Sequence, residues 1–171
     1  DDDGFEFHVR DSGADRVGEF VLRRLRRGAP VRLTGPFGEA WLREDHTGPI
    51  LAVAGGSGLA PIKSIVETAL RRGMTQDIHL YAGARDEADV YLDDHFIELT
   101  RHHPGLRYST VLSAPGPRAA TARRVGLVSD AVADDFRDLR GFKAHIAGPL
   151  PMVAATVAVL RARGMTDADI H

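Results

Sequence analysis

The sequence ILAVAGGSGLAPIKSIVETA, residues 50–69, determines the fold of this chain. It opens with an apolar run at residues 50–54, which is typical of a strand buried on both faces of a parallel sheet. A glycine turn follows, made of Gly55, Gly56, Ser57 and Gly58. After Pro61 the apolar residues recur with helical spacing. The stretch therefore predicts a strand, a tight turn and a helix.

The predicted turn has the chemistry of an anion-binding site. Glycines let the backbone turn tightly and let a ligand approach it closely, and proline is compatible with the first turn of a helix. The free N–H groups at a helix start, together with the helix dipole, favour an anion such as a pyrophosphate. The simpler alternative is a tight connection without a ligand, since Pro61 stands where the common dinucleotide fingerprint has its third glycine.

Composition excludes several classes of protein. The 171 residues carry a net charge of −2, which gives no electrostatic basis for binding nucleic acid. No apolar segment approaches the length that crosses a bilayer, and no secretory signal is visible. The absence of cysteine excludes disulfides, a cysteine nucleophile and a cysteine-ligated iron–sulfur cluster within this chain. We expect a cytoplasmic protein that contacts neither nucleic acid nor a membrane.

The first 47 residues have a β-rich pattern. Alternating apolar residues predict a strand at 5–9, and further strands are expected at 31–33 and 39–42. A helix is expected over residues 18–27, with its apolar residues facing inward. This segment is too small to close its own sheet. We expect the last part of an antiparallel domain whose earlier strands are absent, in a chain cut at both ends.

From residue 48 onwards, strand patterns alternate with helix patterns. Strands are expected at 50–54, 78–82, 106–112 and 142–147, and residues 113–124 are expected to form a loop. Helices are expected after Pro61 and at about 92–102, 126–136 and 153–163. Helices between buried strands predict an α/β fold with a doubly wound parallel sheet and right-handed crossovers.

Three of the predicted strands end in unusual loops. These are Gly55–Gly58, the segment Gly83-Ala84-Arg85-Asp86, and residues 147–152. Because the carboxyl ends of parallel strands meet at one edge of a sheet, we expect the three loops to lie together there. Ligands of such sheets bind beyond that edge, where the strand order reverses.

Four motifs in this order resemble one known family. They are GGSGLAP (55–61), HLYAGARDEADVY (79–91), GLVSDAV (126–132) and AGPLPM (147–152). They look like the nucleotide-binding domain of the ferredoxin–NADP reductase superfamily, and most resemble the reductase components of Rieske-type aromatic-ring dioxygenases. The resemblance implies that residues 1–47 are the C-terminal part of an antiparallel barrel that binds FAD. It also implies that residues 48–171 form a five-stranded NAD(P)-binding domain.

The resemblance also implies a function. Hydride would pass from NAD(P)H to FAD, and the flavin would give single electrons to a ferredoxin or a 2Fe–2S domain that serves a terminal oxygenase. The 2Fe–2S cluster would lie in a missing or partner domain. The cofactors carry the chemistry in this family, so no side chain is expected to be catalytic.

The resemblance assigns binding residues one by one. The nicotinamide half and the pyrophosphate would lie against Gly55, Gly56, Ser57, Gly58 and Pro61. The adenosine ribose would lie against Gly83, Ala84 and Arg85. The opposite wall would be formed by Gly148, Pro149 and Met152. The flavin pyrophosphate would be held by Arg16, Val17 and Gly18, although the family usually has Ser or Thr at the position of Gly18. Because Asp86 and Glu87 follow Arg85, we expect NADH to be preferred, with NADPH possible.

Other interpretations remain open or are disfavoured. A non-catalytic nucleotide-binding regulator would share the same loops, and so would a reductase of the flavohaemoglobin or monooxygenase type with a different electron acceptor. A hydrolase is disfavoured because the nucleophile elbow requires glycine at the position of Leu59. The eight histidines show no metal-binding spacing, since His102 and His103 are adjacent and point apart on a helix.

Overall fold

The computed structural model describes residues 4–10, 16–116 and 123–171. It divides into two compact units, and the division falls between Glu39 and Ala40. The predicted domain boundary lay at residues 47 and 48. Since Leu42 is buried in the core of the second unit, the segment just before the first sheet strand belongs to that unit.

The first unit contains little regular structure in its described residues. Helix α1 (Arg16–Glu19) continues as a π-helix over Phe20–Arg24, so the predicted helix ends three residues early. The strands predicted at 5–9, 31–33 and 39–42 are wrong, because no described residue there is in a strand. Alternation defines which side chains share a face, but a strand forms only where a neighbour supplies its hydrogen bonds. Phe20 and Leu22, predicted to face inward, are 50% and 49% exposed.

The second unit is built on one parallel sheet of five strands in the order β4-β3-β2-β1-β5. The predicted doubly wound α/β fold is confirmed. The strands are β1 (Ile50–Gly55), β2 (Ile78–Ala84), β3 (Leu106–Leu112), β4 (Arg124–Val125) and β5 (Lys143–Ala147). The two-residue edge strand β4 was predicted to be the end of a loop, because two residues are too few to show any periodicity.

Four helices cover the sheet. They are α2 (Leu59–Arg71), α3 (Asp93–His102), α4 (Val128–Asp135) and α5 (Leu150–Ala162). Helix α5 begins three residues before the predicted start, because Pro151 falls in its first turn, where a missing N–H costs no hydrogen bond.

The strand β1 separates two apolar layers. All six of its residues are buried. Ile50, Ala52 and Ala54 pack into the front layer, which is formed with α2 and α3. Leu51 and Val53 pack into the back layer, which is formed with α4 and α5. Burial on both faces explains why the sequence of β1 is a continuous apolar run rather than an alternating one.

The strand order reverses between β1 and β5. The chain leaves β1 towards β2, β3 and β4, and then returns to add β5 on the other side of β1. Gly55 at the end of β1 is in register with Gly83 of β2, and Ala54 is in register with Ala147 of β5. The three glycine loops therefore leave the same edge of the sheet, as predicted.

Candidate functional site

The glycine turn and the loop after β5 touch each other through backbone atoms. A Cβ atom at Gly58 would lie 2.2 Å from the carbonyl oxygen of Ala147. A Cβ atom at Gly148 would lie 3.0 Å from the backbone nitrogen of Gly55. Real Cβ atoms do not approach backbone to 2.2 Å, so glycine is required at Gly58 for the start of α2 to pack against the end of β5. Part of the glycine pattern thus serves packing at the point where the strand order reverses.

The turn itself presents the start of a long helix at this edge. Gly56 has a left-handed backbone with φ of +54°, which favours glycine. A short 3-10 helix over Gly56–Gly58 leads directly into the 13-residue helix α2, and Pro61 is the third residue of α2. Ser57 is exposed. The unpaired N–H groups of such a helix start, with the helix dipole, give a local preference for an anion.

The loop after β5 forms a second wall beside the turn. A Cβ atom at Gly55 would lie 2.5 Å from the sulfur of Met152 and 3.1 Å from Cδ of Pro149. The side chains predicted for the opposite wall are therefore in contact with the turn. Leu150, at the first position of α5, is 84% exposed.

The loop after β2 holds the third group of predicted residues. Gly83 and Ala84 end β2, and the side chain of Arg85 is exposed. The carboxylate of Asp86 bonds to the backbone of its own loop. Its Oδ1 atom accepts a hydrogen bond of 2.9 Å from the N–H of Ala88 and caps the 3-10 helix Glu87–Asp89.

A shallow, open pocket lies beside the glycine turn. It is lined by the ends of β1 and β2, by Leu59, by Tyr108 and Thr110 of β3, and by residues 89–91. The sequence analysis identified the strand ends but missed the other residues. Tyr91 ends one of the four motifs, yet nothing in the sequence indicates that its ring reaches back to β1.

Arg123 holds both ends of the segment that lines this pocket. Its Nη1 and Nη2 atoms donate to the carboxylate of Asp93 at 2.9 and 3.0 Å. Its Nε atom lies 2.9 Å from Oε2 of Glu87. We call Arg123, Glu87 and Asp93 the Arg123 clamp. The hydrogen bond to Asp93 raises the pKa of Arg123, so the guanidinium stays charged.

The polar wall of the pocket is tied to the same carboxylate. The hydroxyls of Tyr108 and Thr110 each donate to Oδ1 of Asp93 at 2.9 Å. Burial opposes ionisation of Asp93, but the hydrogen bonds from Arg123, Thr110 and Tyr108 outweigh it and lower the pKa of Asp93. Asp93 is therefore ionised at neutral pH, and its charge is paired with that of Arg123.

Tyr91 connects the clamped segment to the glycine turn. Its hydroxyl donates a hydrogen bond of 3.1 Å to the carbonyl oxygen of Gly56. The next residue, Leu92, has a left-handed backbone with φ of +59°. A branched residue adopts this conformation at a cost of roughly 1–3 kcal/mol, so surrounding contacts must enforce it. Leu92 packs against the front layer.

The residues predicted to hold flavin lie in the first unit. Arg16, Val17 and Gly18 belong to α1, where Val17 is 68% exposed and Gly18 is buried. Their role towards a flavin stays a prediction.

Neither a metal centre nor a membrane span is found in the part of the chain that the structure describes. Within residues 4–10, 16–116 and 123–171, no three His, Cys, Asp or Glu side chains are arranged to hold a metal ion. Within the same ranges, every helix is too short or too polar to cross a bilayer.

A parallel, doubly wound sheet with a glycine turn at the reversal of strand order defines the class of nucleotide-binding α/β domains. The chain belongs to the oxidoreductase NAD-binding domain family, whose model matches residues 52–158. It is 41% identical over 171 residues to the ferredoxin–NAD(P)(+) reductase component of the naphthalene 1,2-dioxygenase system of Pseudomonas putida. That match covers 100% of this chain and 52% of the relative.

Two further matches agree with this family. The reductase component of the naphthalene 1,2-dioxygenase/salicylate 5-hydroxylase systems of Ralstonia sp is 42% identical, over 97% of this chain and 50% of the relative. The crystal structure of Amycolatopsis cytochrome P450 reductase GcoB superposes with a TM-score of 0.74 at 38% identity, over 80% of this chain and 41% of that one. The chain thus spans about half the length of these curated relatives.

Proposed function

We propose that this chain is part of an NAD(P)H-dependent flavoprotein reductase of the ferredoxin reductase type. The proposal rests on the position of the glycine turn between β1 and α2. The turn lies where the strand order reverses and beside the wall formed by Pro149 and Met152. The 41% identical relative, a reductase component of a dioxygenase system, supports the same function. In this proposal residues 40–171 bind the nucleotide and the first unit contributes to a flavin site.

The chain's own residues would act mainly by binding and orientation. The backbone N–H groups from Gly56 to the start of α2 fit a pyrophosphate, since the left-handed Gly56 and the helix dipole both favour an anion there. Pro149 and Met152 would cover the nicotinamide side and exclude water. Bound flavin supplies the acceptor for hydride, and holding donor and acceptor in contact is the protein's contribution. Arg16, Val17 and Gly18 would hold the flavin pyrophosphate.

NADH is the nucleotide that the charges of the pocket favour. Asp89 lines the pocket with a carboxylate, and the positive charge of Arg123 is already paired with Glu87 and Asp93. Arg85 lies at the end of β2, but the carboxylate of Asp86 follows it directly and would repel a 2′-phosphate there. A 2′-phosphate needs cations with unused donors, so we expect NADH to bind at least tenfold more tightly than NADPH. Equal affinities in calorimetry would contradict this.

The electron acceptor would be a ferredoxin or a 2Fe–2S domain outside this chain, acting with a terminal oxygenase. The chain has no cysteine to ligate a cluster of its own. The names of the two reductase components in dioxygenase systems support this acceptor. A reductase of another acceptor class, or a non-catalytic nucleotide-binding regulator, would bind the nucleotide equally. Flavin reduction by NADH in the full-length protein separates the reductases from the regulator.

The test of the nucleotide site is Gly56→Val. A branched side chain at φ of +54° is strained, and it would project where the pyrophosphate approaches. We expect NAD⁺ affinity to fall by more than tenfold in calorimetry. Gly73→Val is the matched control, because Gly73 also has positive φ (+68°) but a Cβ atom there meets open space after α2. Unchanged affinity in folded Gly56→Val, or equal losses in both variants, would contradict the site.

A further inference from the structure

The carbonyl group of Gly56 is held from two directions. It accepts the N–H of Leu59 at the start of α2 and the hydroxyl of Tyr91 at 3.1 Å. A carbonyl oxygen has two lone pairs, so these two donors use its full capacity. The orientation of the peptide between Gly56 and Ser57 is therefore set by Tyr91 as well as by the helix.

Fixing the orientation of the Gly56 carbonyl also fixes the N–H group of the same peptide, which belongs to Ser57. In a planar trans peptide the C=O and N–H groups point in opposite directions. With its oxygen directed to Tyr91, the Gly56–Ser57 peptide directs the N–H of Ser57 away from the segment 87–93. Glycine at 56 would otherwise let this peptide rotate with little steric resistance, because the residue has no side chain to restrict it.

The position of Tyr91 is itself built into the fold. The Arg123 clamp ties down Glu87 at one end of the segment and Asp93 at the other. Leu92 takes a left-handed backbone immediately after Tyr91 and packs on the front layer. A strained residue between two anchored ends is maintained only by its surroundings. In this segment the strained backbone carries the Tyr91 ring back over the end of β1.

We propose that Tyr91 is a positioning residue for dinucleotide binding: its hydroxyl locks the Gly56–Ser57 peptide so that the Ser57 N–H faces the pyrophosphate. The inference rests on the proposed nucleotide site. It gives the segment 87–93, which lies outside the glycine turn, a defined role in that site. Because the aligned donor serves both ground state and transition state, its loss weakens binding without slowing hydride transfer.

The test is Tyr91→Phe in the full-length protein, which keeps the ring and removes the hydroxyl. We expect the Kd for ADP-ribose, which carries the pyrophosphate, to rise about three- to tenfold. The Kd for 5′-AMP, which lacks a pyrophosphate, should change less than twofold. KM for NADH should rise by the same factor as the Kd for ADP-ribose, with kcat unchanged.

Tyr81→Phe is the matched control. It also removes a hydroxyl hydrogen bond, from Tyr81 to Asp135 at 2.6 Å, but on the back layer of the same sheet. Its ADP-ribose affinity should equal that of the wild type. The proposal is overturned if Tyr91→Phe binds ADP-ribose as tightly as the wild type does. It is also overturned if the variant loses as much affinity for 5′-AMP as for ADP-ribose, or if Tyr81→Phe loses as much affinity for ADP-ribose as Tyr91→Phe. Failure of the wild type to bind ADP-ribose would instead overturn the nucleotide site itself.

Discussion

Gly55 and Gly58 lie three positions apart in one turn, yet their surroundings differ in kind. A Cβ atom at Gly58 would meet the backbone of Ala147 and Gly148 at 2.2–2.6 Å. A Cβ atom at Gly55 would meet the sulfur of Met152 at 2.5 Å, which is the far end of a flexible side chain. Backbone at the junction of β5 and α5 has no room to move, whereas a thioether can change rotamer.

We therefore predict that Gly58→Ala destabilises the fold much more than Gly55→Ala. The first substitution forces two packed elements apart, at a cost of roughly 3 kcal/mol or more, and the second costs about 1 kcal/mol. Urea unfolding of both variants measures the difference. Equal losses of stability would mean that the turn and the β5 loop are not in the contact described.

His145 of β5 is a buried histidine with an unusual environment. It is 2% exposed, and among the described residues neither ring nitrogen has a hydrogen-bond partner. Burial, followed by the positive charges around it, lowers the pKa of His145 to about 4. The charged and titratable neighbours are His171, Arg43, Lys143 and His46.

The folded protein therefore holds His145 neutral, while the unfolded chain protonates it near pH 6.5. Since the unfolded state then binds more protons, stability should fall as the pH drops from about 6.5 to about 4, by roughly 3 kcal/mol from this group. Above pH 6.5 the contribution is constant. Chemical denaturation of wild type and His145→Leu across this range checks it: the variant's curve should be flatter by that amount, and parallel curves would contradict the assignment.

At the scale of elements, β1, β2, β3 and β5 and helices α2 to α5 were all predictable from the sequence. Burial on both faces of the sheet leaves continuous apolar runs, and the covering helices keep a clear period. The strands predicted before residue 43 failed because alternation carries no information on whether a pairing neighbour is present. Tyr91 and the Arg123 clamp were missed because they join residues 30 or more positions apart, which no local pattern records.

The clamp yields a prediction of its own. Arg123→Met should destabilise the fold by about 2 kcal/mol, because it leaves the partly buried carboxylates of Glu87 and Asp93 without their cation. It should also weaken ADP-ribose binding, since the Tyr91 segment loses both anchors. Thermal unfolding and calorimetry measure the two effects.

The neighbouring arginine provides the control for this experiment. Arg124 pairs with Asp134 and Asp135 at the surface, where an ion pair contributes at most about 1 kcal/mol. Arg124→Met should therefore be nearly as stable as the wild type and should bind ADP-ribose normally. Matching behaviour of the two arginine variants would show that the clamp does not hold the segment.

At the scale of the whole molecule, the second unit has a complete core of its own, with two layers on one sheet. We predict that residues 40–171 fold alone and bind NAD⁺ with the affinity of the 171-residue chain. Neither residues 40–171 alone nor the 171-residue chain should oxidise NADH as fast as the full-length protein, when ferricyanide and FAD are added. Hydride transfer needs an oriented acceptor, and orientation is worth roughly 7–11 kcal/mol of barrier. Comparable turnover from the 171-residue chain and the full-length protein would contradict this.

The strand order also has a kinetic consequence. Ile50 pairs with Ile78 on one side of β1, but with Lys143 on the other. Closing the first contact requires a far shorter loop than closing the second, so the pairing of β1 with β2 has the lower entropic cost during folding. The sheet should grow from β1 towards β3 first and accept β5 late. Substitutions in β2 should then slow folding, while substitutions in β5 should mainly accelerate unfolding. The crevice between β1 and β5 would thus be the last part of the sheet to assemble.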